Sequence, residues 1–351
     1  MLRPKKMIQA FSDIGYDVFV IQGYSKERRQ LIAQLKKQIK NGKKYDFMYT
    51  ESHTEPTLLT DPNHLPTHPF MDFVFFRYIK KQGIKIGLFY CDIYWKFNSY
   101  GIDLPKWKKK GALLNYNYDI KKYKKYLDKF YIPNSKILDY LQEPSLSQIA
   151  SELPPGADNL LIDRTIDTDR DYTVRPIHIF YVGGLGSAYQ ILELVKAVYY
   201  TPNCRLTLCC RDAEWEKEKG NFEPFLTNDK ITVIHKKNNE LEEYYHNADI
   251  CSLLFEKGVY MEMAIPFKAF EYLAHELPVL STKGTAIGSF VEKNDIGWSI
   301  DFDAKSIEEK LREIMNDSDS LVLKYNHCKE SKKSNLWTCR ASQVAEDLRT
   351  I

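Results

Sequence analysis

The feature that most constrains the fold of this chain is a repeated alternation of short apolar runs with longer helix-like segments. The apolar runs of the first half are DVFVI, YDFMYT and IKIGLFY. Those of the second half are HIFYV, RLTLCC, KITVI, ADICSLLF and PVLST. Short apolar strands that alternate with helices predict a parallel sheet covered by helices on both faces. Two such series of similar size predict an α/β protein with two Rossmann-like domains facing across a cleft.

A polar, Pro-bearing stretch at residues 151–176 separates the two series. It contains SELPPGADNL and DRTIDTDRDYTVRP, and it has the character of an interdomain connection. We therefore expect an N-terminal domain at residues 1–165 and a C-terminal domain at residues 166–325. The remaining segment, 326–351, ends in SNLWTCRASQVAEDLRTI, which predicts one more amphipathic helix.

Charge and cysteine content exclude several classes of protein. The 50 basic and 47 acidic residues give a net charge of +3, too balanced for a polycation that binds nucleic acid. No apolar run approaches the roughly 20 residues of a transmembrane helix, and the basic N-terminus lacks the apolar core of a signal peptide. The seven cysteines form no CxxC pair, so we expect buried free thiols in a reducing cytosol and no metal site.

Two small-residue turns follow predicted strands and are suited to a phosphate. HIFYV leads into Gly183 and Gly184, and a helix is expected to start near Ser187. Glycines let a ligand approach the backbone closely, and a helix N-terminus presents free N–H groups to an anion. PVLST leads into a second such turn around Thr285. A tight turn without any ligand would have the same sequence, so both interpretations of the first turn stay open.

A Lys/Glu pair lies on the helix predicted for PFKAFEYLAHEL, which Pro266 can open. Lys268 and Glu271 are three residues apart and therefore share one helix face. As a surface ion pair they would contribute little to stability. However, this helix starts at the carboxyl end of a strand, where doubly wound sheets bind ligands. A Glu there can accept hydrogen bonds from two ribose hydroxyls and a Lys can neutralise a phosphate, which favours a nucleotide site.

The order of these motifs resembles the donor half of a family-4-type retaining glycosyltransferase with the GT-B fold. The resemblance runs from about Ile177 to Ile300, and its specific part is P-x-K-x-x-E-Y-L-A followed by P-V-L. It implies a nucleotide-diphosphate sugar as donor, and a last helix that crosses back onto the N-terminal domain. This chain begins almost directly with the helix RPKKMIQAF, so we expect its N-terminal domain to lack the first strand of such enzymes.

The resemblance also implies roles for individual residues. Glu271 would bind the ribose, and Gly183 and Gly184 would lie against the diphosphate. His235 would border the base through backbone contacts. The Thr285 turn would meet the diphosphate or the sugar.

The chain departs from the family pattern at the charges that hold the diphosphate. Relatives usually carry an Arg after the first Gly of the turn and a Lys five residues further on, where this chain has Gly184 and Tyr189. Lys268 and Arg211 are our candidates for the missing positive charge. Many relatives also have a Glu eight residues before the ribose-binding one. Either of two nearby acids could replace it, namely Glu262 or Glu256, and the third alternative is that this role is absent from the chain.

A carboxylate also follows a strand of the first series. Asp92 comes directly after IKIGLFYC, and we take it as the candidate catalytic residue that bonds an acceptor or sugar hydroxyl. Its alternative role is to cap a turn. Tyr94, Trp95 and Phe97 beside it could form an aromatic platform for a sugar ring or could pack in the core. No strong protein base is expected, because in this family the leaving phosphate helps to remove the acceptor's proton.

The stretch at 104–130 is basic and aromatic, with nine Lys against two Asp. It could be an ordinary solvated face. It could also be a surface that sits on an anionic membrane, where each basic residue contributes about 1 kcal/mol. Many relatives glycosylate lipid-linked acceptors, which is consistent with the second alternative.

We therefore predict a glycosyltransferase that moves a sugar from a nucleotide-diphosphate donor, expected to be a UDP-sugar, to a glycan or lipid-linked acceptor with retention. The predicted role is in surface polysaccharide or glycoconjugate synthesis, without a cofactor and without nucleic acid. The predicted location is the cytoplasm, with peripheral placement at the inner face of the cell membrane left open. Two alternatives remain: a nucleotide-sugar epimerase of the same architecture, and a non-catalytic binding or partner protein.

Overall fold

The computed structural model describes residues 2–62, 64–164, 171–186, 189–227 and 229–351. Contacts divide the chain into two compact units. Unit 1 comprises residues 1–154 together with 337–351, and unit 2 comprises residues 155–336. The division after Pro154 falls earlier in the chain than the boundary expected at 165. Each unit contains one parallel sheet with helices packed on it, which confirms the predicted α/β class.

Unit 1 is built on a four-stranded parallel sheet in the order β1-β2-β3-β4. Elements are numbered in chain order throughout. The strands are β1 (Phe47–Glu51), β2 (Lys85–Phe89), β3 (Lys129–Ile132) and β4 (Ala150–Glu152). The helices are α1 (Leu2–Asp13), α2 (Ser25–Lys40), α3 (Met71–Lys81), α4 (Lys106–Tyr126), α5 (Lys136–Leu141), α6 (Pro144–Ser147) and α14 (Trp337–Thr350).

The strand predicted for DVFVI is wrong. Residues 17–21 form no ladder with any described strand, although the four apolar side chains from Val18 to Ile21 are half-buried. They line a cavity of about 680 Å³ whose other walls include α1 and β1. β1 is the edge strand of the sheet. The apolar pattern therefore predicted burial correctly, but a ladder also needs an adjacent strand, and the described residues place none beside the free edge of β1.

The last helix belongs to unit 1. α14 packs along α1 and against β1 and β2. Its Gln343 Nε2 donates a hydrogen bond to the Glu152 carbonyl at 2.9 Å. Its Leu348 is buried so closely against β2 that a Cβ placed on Gly87 would lie 2.9 Å from a Leu348 methyl carbon. This packing buries the apolar face that the sequence predicted for the C-terminal segment.

Unit 2 is built on a six-stranded parallel sheet in the order β10-β9-β8-β5-β6-β7. The strands are β5 (Ile177–Val182), β6 (Cys204–Cys209), β7 (Ile231–Ile234), β8 (Ile250–Leu253), β9 (Val279–Thr282) and β10 (Gly297–Ile300). The helices are α7 (Leu192–Tyr200), α8 (Asp212–Phe222), α9 (Glu242–Asn247), α10 (Phe267–Ala274), α11 (Ala286–Asn294), α12 (Ala304–Asn316) and α13 (Ser318–Ser334). The interior strands β5, β8 and β9 are almost entirely buried, as expected for strands covered on both faces.

Candidate functional site

The candidate site lies at the carboxyl edge of the unit 2 sheet. β6 and β7 extend this sheet on one side of β5, whereas β8, β9 and β10 extend it on the other. The strand order therefore reverses between β5 and β8, and open parallel sheets bind ligands outside the carboxyl ends of the strands at such a point. The loops that follow these strands carry most of the predicted site residues, so the topology brings those residues to one edge.

The turn after β5 is fixed by hydrogen bonds made by its backbone N–H and carbonyl groups. The Gly183 N–H donates to the Cys209 carbonyl at 3.0 Å, and the Tyr181 hydroxyl donates to the Gly184 carbonyl at 2.6 Å. A Cβ on Gly183 would lie 2.6 Å from the Tyr181 hydroxyl oxygen, so a larger residue here would require the Tyr181 side chain to move. Burial raises the pKa of Tyr181, which keeps its hydroxyl protonated as a donor.

The helix after this turn begins later than predicted. α7 begins at Leu192, whereas the sequence placed its start near Ser187, which lies outside the described residues. The Tyr189 N–H donates to the Gly186 carbonyl at 2.8 Å, and residues 189–191 are not yet helical. Since the field of a helix dipole falls off within one turn, α7 does not supply the positive charge predicted at Gly183 and Gly184.

A carboxylate that the sequence did not predict binds to this turn. The Leu185 N–H donates to Glu214 Oε2 at 3.1 Å, and Arg211 Nη1 donates to Glu214 Oε1 at 2.8 Å. Glu214 belongs to the first turn of α8, and Arg211 immediately precedes that helix. Arg211 is therefore linked to the glycine turn indirectly, because both the guanidinium and the Leu185 N–H donate to the Glu214 carboxylate. The only signal in the sequence was the Arg/Glu spacing of three at a helix start.

His235 joins the ends of two neighbouring strands. Its Nδ1 lies 3.0 Å from the Cys210 carbonyl oxygen, directly after β6, and its Nε2 lies 3.7 Å from Asp212 Oδ1. His235 itself follows β7. The predicted base-side residue is thus at the same sheet edge as Arg211.

The predicted Lys/Glu pair is formed at the start of α10. Lys268 Nζ lies 2.5 Å from Glu271 Oε2, and the Tyr245 hydroxyl donates to the same oxygen at 3.2 Å. The side chains of Lys268 and Glu271 remain partly exposed. Burial, with the Glu271 charge beside it, raises the pKa of Tyr245, so that its hydroxyl stays a donor. Glu271 is consequently a carboxylate held in one orientation by two donors and still open to solvent.

The Thr285 side chain has a structural role in the fold. Its hydroxyl donates to the Thr282 carbonyl at 2.6 Å and accepts from the Gly288 N–H at 3.0 Å, which caps α11. The side chain is buried, whereas Lys283 and Gly284 of the same turn are exposed. A ligand at this turn would therefore meet its backbone and Lys283 rather than the Thr285 hydroxyl.

The acid that many relatives carry before the ribose-binding Glu has no direct counterpart. The equivalent residue, Met263, is buried in the core. The two alternatives that the sequence left open, Glu256 and Glu262, are both exposed in the segment after β8.

Asp92 lies after β2, at the carboxyl edge of the unit 1 sheet. Its Oδ1 accepts a hydrogen bond from the Tyr94 N–H at 2.9 Å, the turn-capping geometry expected as the alternative role. Trp95 is buried and stacks on Tyr116, with ring centroids 4.9 Å apart. Trp95 is therefore a core residue and not part of a sugar platform, whereas Tyr94 and Phe97 are half-buried.

The described residues contain no cluster of three or more His, Cys, Asp or Glu side chains that could hold a metal ion. All seven cysteines are free, and five of them are buried. Burial raises the pKa of Cys210, the thiol nearest to His235, to about 12, so it carries no thiolate at neutral pH.

Residues 168–334 match the model of the family described as Glycosyl transferases group 1. HepE from Anabaena, solved in complex with UDP, aligns with a TM-score of 0.63 at 11% identity, covering 95% of this chain and 86% of that one. Sucrose-phosphate synthase from Thermosynechococcus elongatus aligns with a TM-score of 0.62 at 15% identity, covering 99% and 92%. WaaG, a glycosyltransferase involved in lipopolysaccharide biosynthesis, aligns with a TM-score of 0.50 at 14% identity, covering 94% and 98%.

No curated protein matches the chain by sequence. At these low identities, the structural likeness establishes the fold, and the family model establishes the domain. Both confirm the resemblance predicted from the P-x-K-x-x-E motif and the turns around it. The chain therefore carries a domain of the glycosyl transferases group 1 family at residues 168–334 and has the GT-B fold.

Proposed function

We propose that this protein transfers a sugar from a UDP-sugar to a glycan or lipid-linked acceptor, with retention of configuration at the anomeric carbon. The observation that carries the proposal is the Glu271 carboxylate, which Lys268 and Tyr245 hold at the switch point of the unit 2 sheet. A fixed and partly exposed carboxylate can accept hydrogen bonds from both ribose hydroxyls. The adjacent Lys268 ammonium is then available to a phosphate.

The proposed chemistry requires stabilisation of a departing diphosphate. The bond from the anomeric carbon to the diphosphate oxygen breaks, and a bond to the acceptor oxygen forms on the same face. The acceptor's proton moves to the leaving phosphate. Lys268 and Arg211 supply positive charge, and the backbone around Gly184 allows close approach of the phosphate. The protein's contribution is therefore electrostatic stabilisation together with orientation of the two substrates.

Two of the related structures support the choice of donor and acceptor. HepE was solved in complex with UDP, which supports a uridine nucleotide. WaaG is described as acting in lipopolysaccharide biosynthesis, which supports a lipid-linked acceptor and a role in surface polysaccharide or glycoconjugate synthesis. We retain Asp92 as the candidate that bonds an acceptor or sugar hydroxyl, because it lies at the carboxyl edge of the unit 1 sheet.

An exposed surface of unit 1 supports binding to an anionic membrane. We name it the α4 patch; its apolar members are Ile102, Leu104, Trp107 and Leu114, and its basic members are Lys106, Lys108 and Lys110. Trp107 and Ile102 are 73% and 71% exposed. Exposed Trp and aliphatic side chains among lysines suit the interface of an anionic bilayer. The helices of the described ranges include none that is long and apolar enough to cross a membrane.

The same helix also contributes buried aromatic side chains to unit 1. Tyr116 and Tyr123 of α4 are buried, and Tyr116 stacks on Trp95 inside unit 1. Only the residues at the start of α4 and just before it form the exposed patch. The exposed large apolar side chains of this region lie within residues 102–114, whereas exposed lysines continue to Lys125, so the proposed apolar contact with a membrane is confined to 102–114.

Calorimetric titration of the folded protein with UDP, GDP and ADP tests the proposed donor site. We expect UDP to bind and Glu271→Ala to weaken its binding at least about ten-fold, because two charge-assisted hydrogen bonds are lost. Glu292→Ala is the matched control, since Glu292 is exposed on α11 away from the strand ends. Failure of all three nucleotides to bind would end the enzyme proposal. Epimerisation of a UDP-sugar without any acceptor would instead identify the epimerase alternative.

A further inference from the structure

The glycine turn after β5 is occupied by a negative charge of the protein itself. Glu214 Oε2 accepts the Leu185 N–H at 3.1 Å. A Cβ placed on Gly184 would lie 3.3 Å from the same oxygen, so the carboxylate is in van der Waals reach of the turn. Backbone N–H groups of a glycine-rich turn are the groups that bind phosphate oxygens. Glu214 therefore makes the contact that an anionic ligand of this turn would make.

Arg211 completes the arrangement. Its Nη1 donates to Glu214 Oε1 at 2.8 Å, while its side chain is 85% exposed, compared with 27% for Glu214. An exposed ion pair of this kind contributes little to stability, so separating it costs little. The guanidinium can thus leave the carboxylate for a better partner, and a diphosphate offers bidentate oxygens with more negative charge.

We propose that Glu214 is an internal competitor for the diphosphate end of the donor site, and that Arg211 passes from Glu214 to the diphosphate when a nucleotide binds. The inference rests on the proposed function, because it assumes that a nucleoside diphosphate uses this turn. Two anions cannot share one N–H group, and their repulsion at a few ångströms opposes binding. Glu214 accordingly weakens binding of donor and of UDP product, which favours product release.

Glu214→Gln tests the proposal, because the amide oxygen of Gln can still accept the Leu185 N–H while the charge is removed. We expect it to tighten UDP binding by about ten-fold in calorimetric titrations at low salt. Binding of uridine, which has no phosphate, is expected to be unchanged. Glu216→Gln is the matched control: Glu216 lies on the same helix and pairs with Lys219 at the same spacing of three. It is expected to leave both affinities unchanged.

A second variant tests the transfer of Arg211. Adding Arg211→Gln to the Glu214→Gln variant is expected to abolish most of the gain in UDP affinity. In the single variant the guanidinium no longer pairs with a carboxylate at position 214, so we expect its charge to act on the diphosphate. Equal melting temperatures of the variants would show that these differences do not come from the fold.

Two results would overturn the inference, and they differ in what they leave standing. If wild type and Glu214→Gln bind UDP equally, or if Glu214→Gln binds it more weakly, Glu214 is not a competitor and the proposed function survives. If neither protein binds UDP, GDP or ADP, the proposed function fails and the inference fails with it.

Discussion

Asp119 Oδ2 accepts a hydrogen bond from the Thr57 N–H at 2.7 Å. Its other carboxylate oxygen, Oδ1, has no hydrogen-bond partner within the described part of the chain. Asp119 lies on α4 and is only 4% exposed. Burial, with a smaller contribution from the nearby charge of Asp72, raises the pKa of Asp119 to about 7. The segment that follows β1 is therefore tied to α4 by a group that titrates near neutral pH.

The raised pKa of Asp119 predicts that the protein loses stability as the pH rises. In the unfolded chain, this carboxyl has a pKa of about 3.9. Between about pH 4 and pH 7 the folded state binds more protons than the unfolded state, so the free energy of unfolding falls across that window. Asp119→Asn removes this titration. We expect the variant to melt at a higher temperature than wild type at pH 8, with the advantage lost or reversed at pH 5.

Thermal unfolding of both proteins from pH 5 to pH 8 provides the measurement. Asp139→Asn is the matched control, because Asp139 is an exposed Asp in the same unit. The comparison isolates Asp119 from other groups that titrate in the same range. Melting curves of wild type and Asp119→Asn that shift in parallel with pH would contradict the assignment.

The packing of α14 on the unit 1 sheet predicts opposite effects for two Gly→Ala substitutions. A Cβ at Gly87 would lie 2.8 Å from a Tyr131 ring carbon and 2.9 Å from a Leu348 methyl carbon. Gly87→Ala should therefore destabilise unit 1 by about 1–3 kcal/mol, the usual cost of overpacking a core. Gly111 lies on α4 with nothing within 4 Å of its added Cβ, and Gly111→Ala should stabilise by up to about 1 kcal/mol.

Urea unfolding of the two Gly→Ala variants beside wild type measures both free energies. Each variant is the control for the other, since both replace Gly by Ala and only the surroundings of the added methyl group differ. If Gly87→Ala were as stable as wild type, β2 and α14 could not be in the contact seen here.

The α4 patch predicts that binding to anionic vesicles depends on Trp107. We expect the protein to co-sediment with vesicles that contain phosphatidylglycerol but not with purely zwitterionic ones, because the lysines need an anionic surface. Trp107→Ala should reduce the bound fraction several-fold, since it removes the largest apolar side chain of the patch. Tyr200→Ala, at an exposed aromatic residue of unit 2, is expected to bind as wild type does. An equal loss of vesicle binding in both variants, or equal binding to anionic and zwitterionic vesicles, would exclude the α4 patch as the membrane-binding surface.

Several features of the molecule could be predicted from local patterns alone. The alternation of apolar runs and helices predicted two parallel sheets, and both are present. The spacing of Lys268 and Glu271 predicted one helix face, and their side chains are in contact. These predictions succeed because the period of a helix and the length of a buried strand are properties of neighbouring residues.

Other features could not be predicted because they depend on residues that are distant in the sequence. DVFVI has the composition of a strand, but a strand exists only if another lies beside it, and none of the described residues pairs with the free edge of β1. The sequence left open whether Trp95 contacts a sugar or packs in the core, and the structure shows it stacked on Tyr116 of α4. An apolar pattern favours burial, but it does not show which residues the side chain will pack against.

By itself, the sequence determined the fold class and the residues from which a donor site can be made: the glycine turn, the Lys/Glu pair and the P-x-K-x-x-E spacing. The tertiary structure alone decided which side chain contacts the glycine turn of this proposed site. Glu214 and Leu185 are separated by 29 positions, and their contact arises only because β5 and β6 pair side by side and bring the start of α8 to the turn. Local periodicity contains no information about such a long-range contact, because strand pairing across the sheet brings the two residues together.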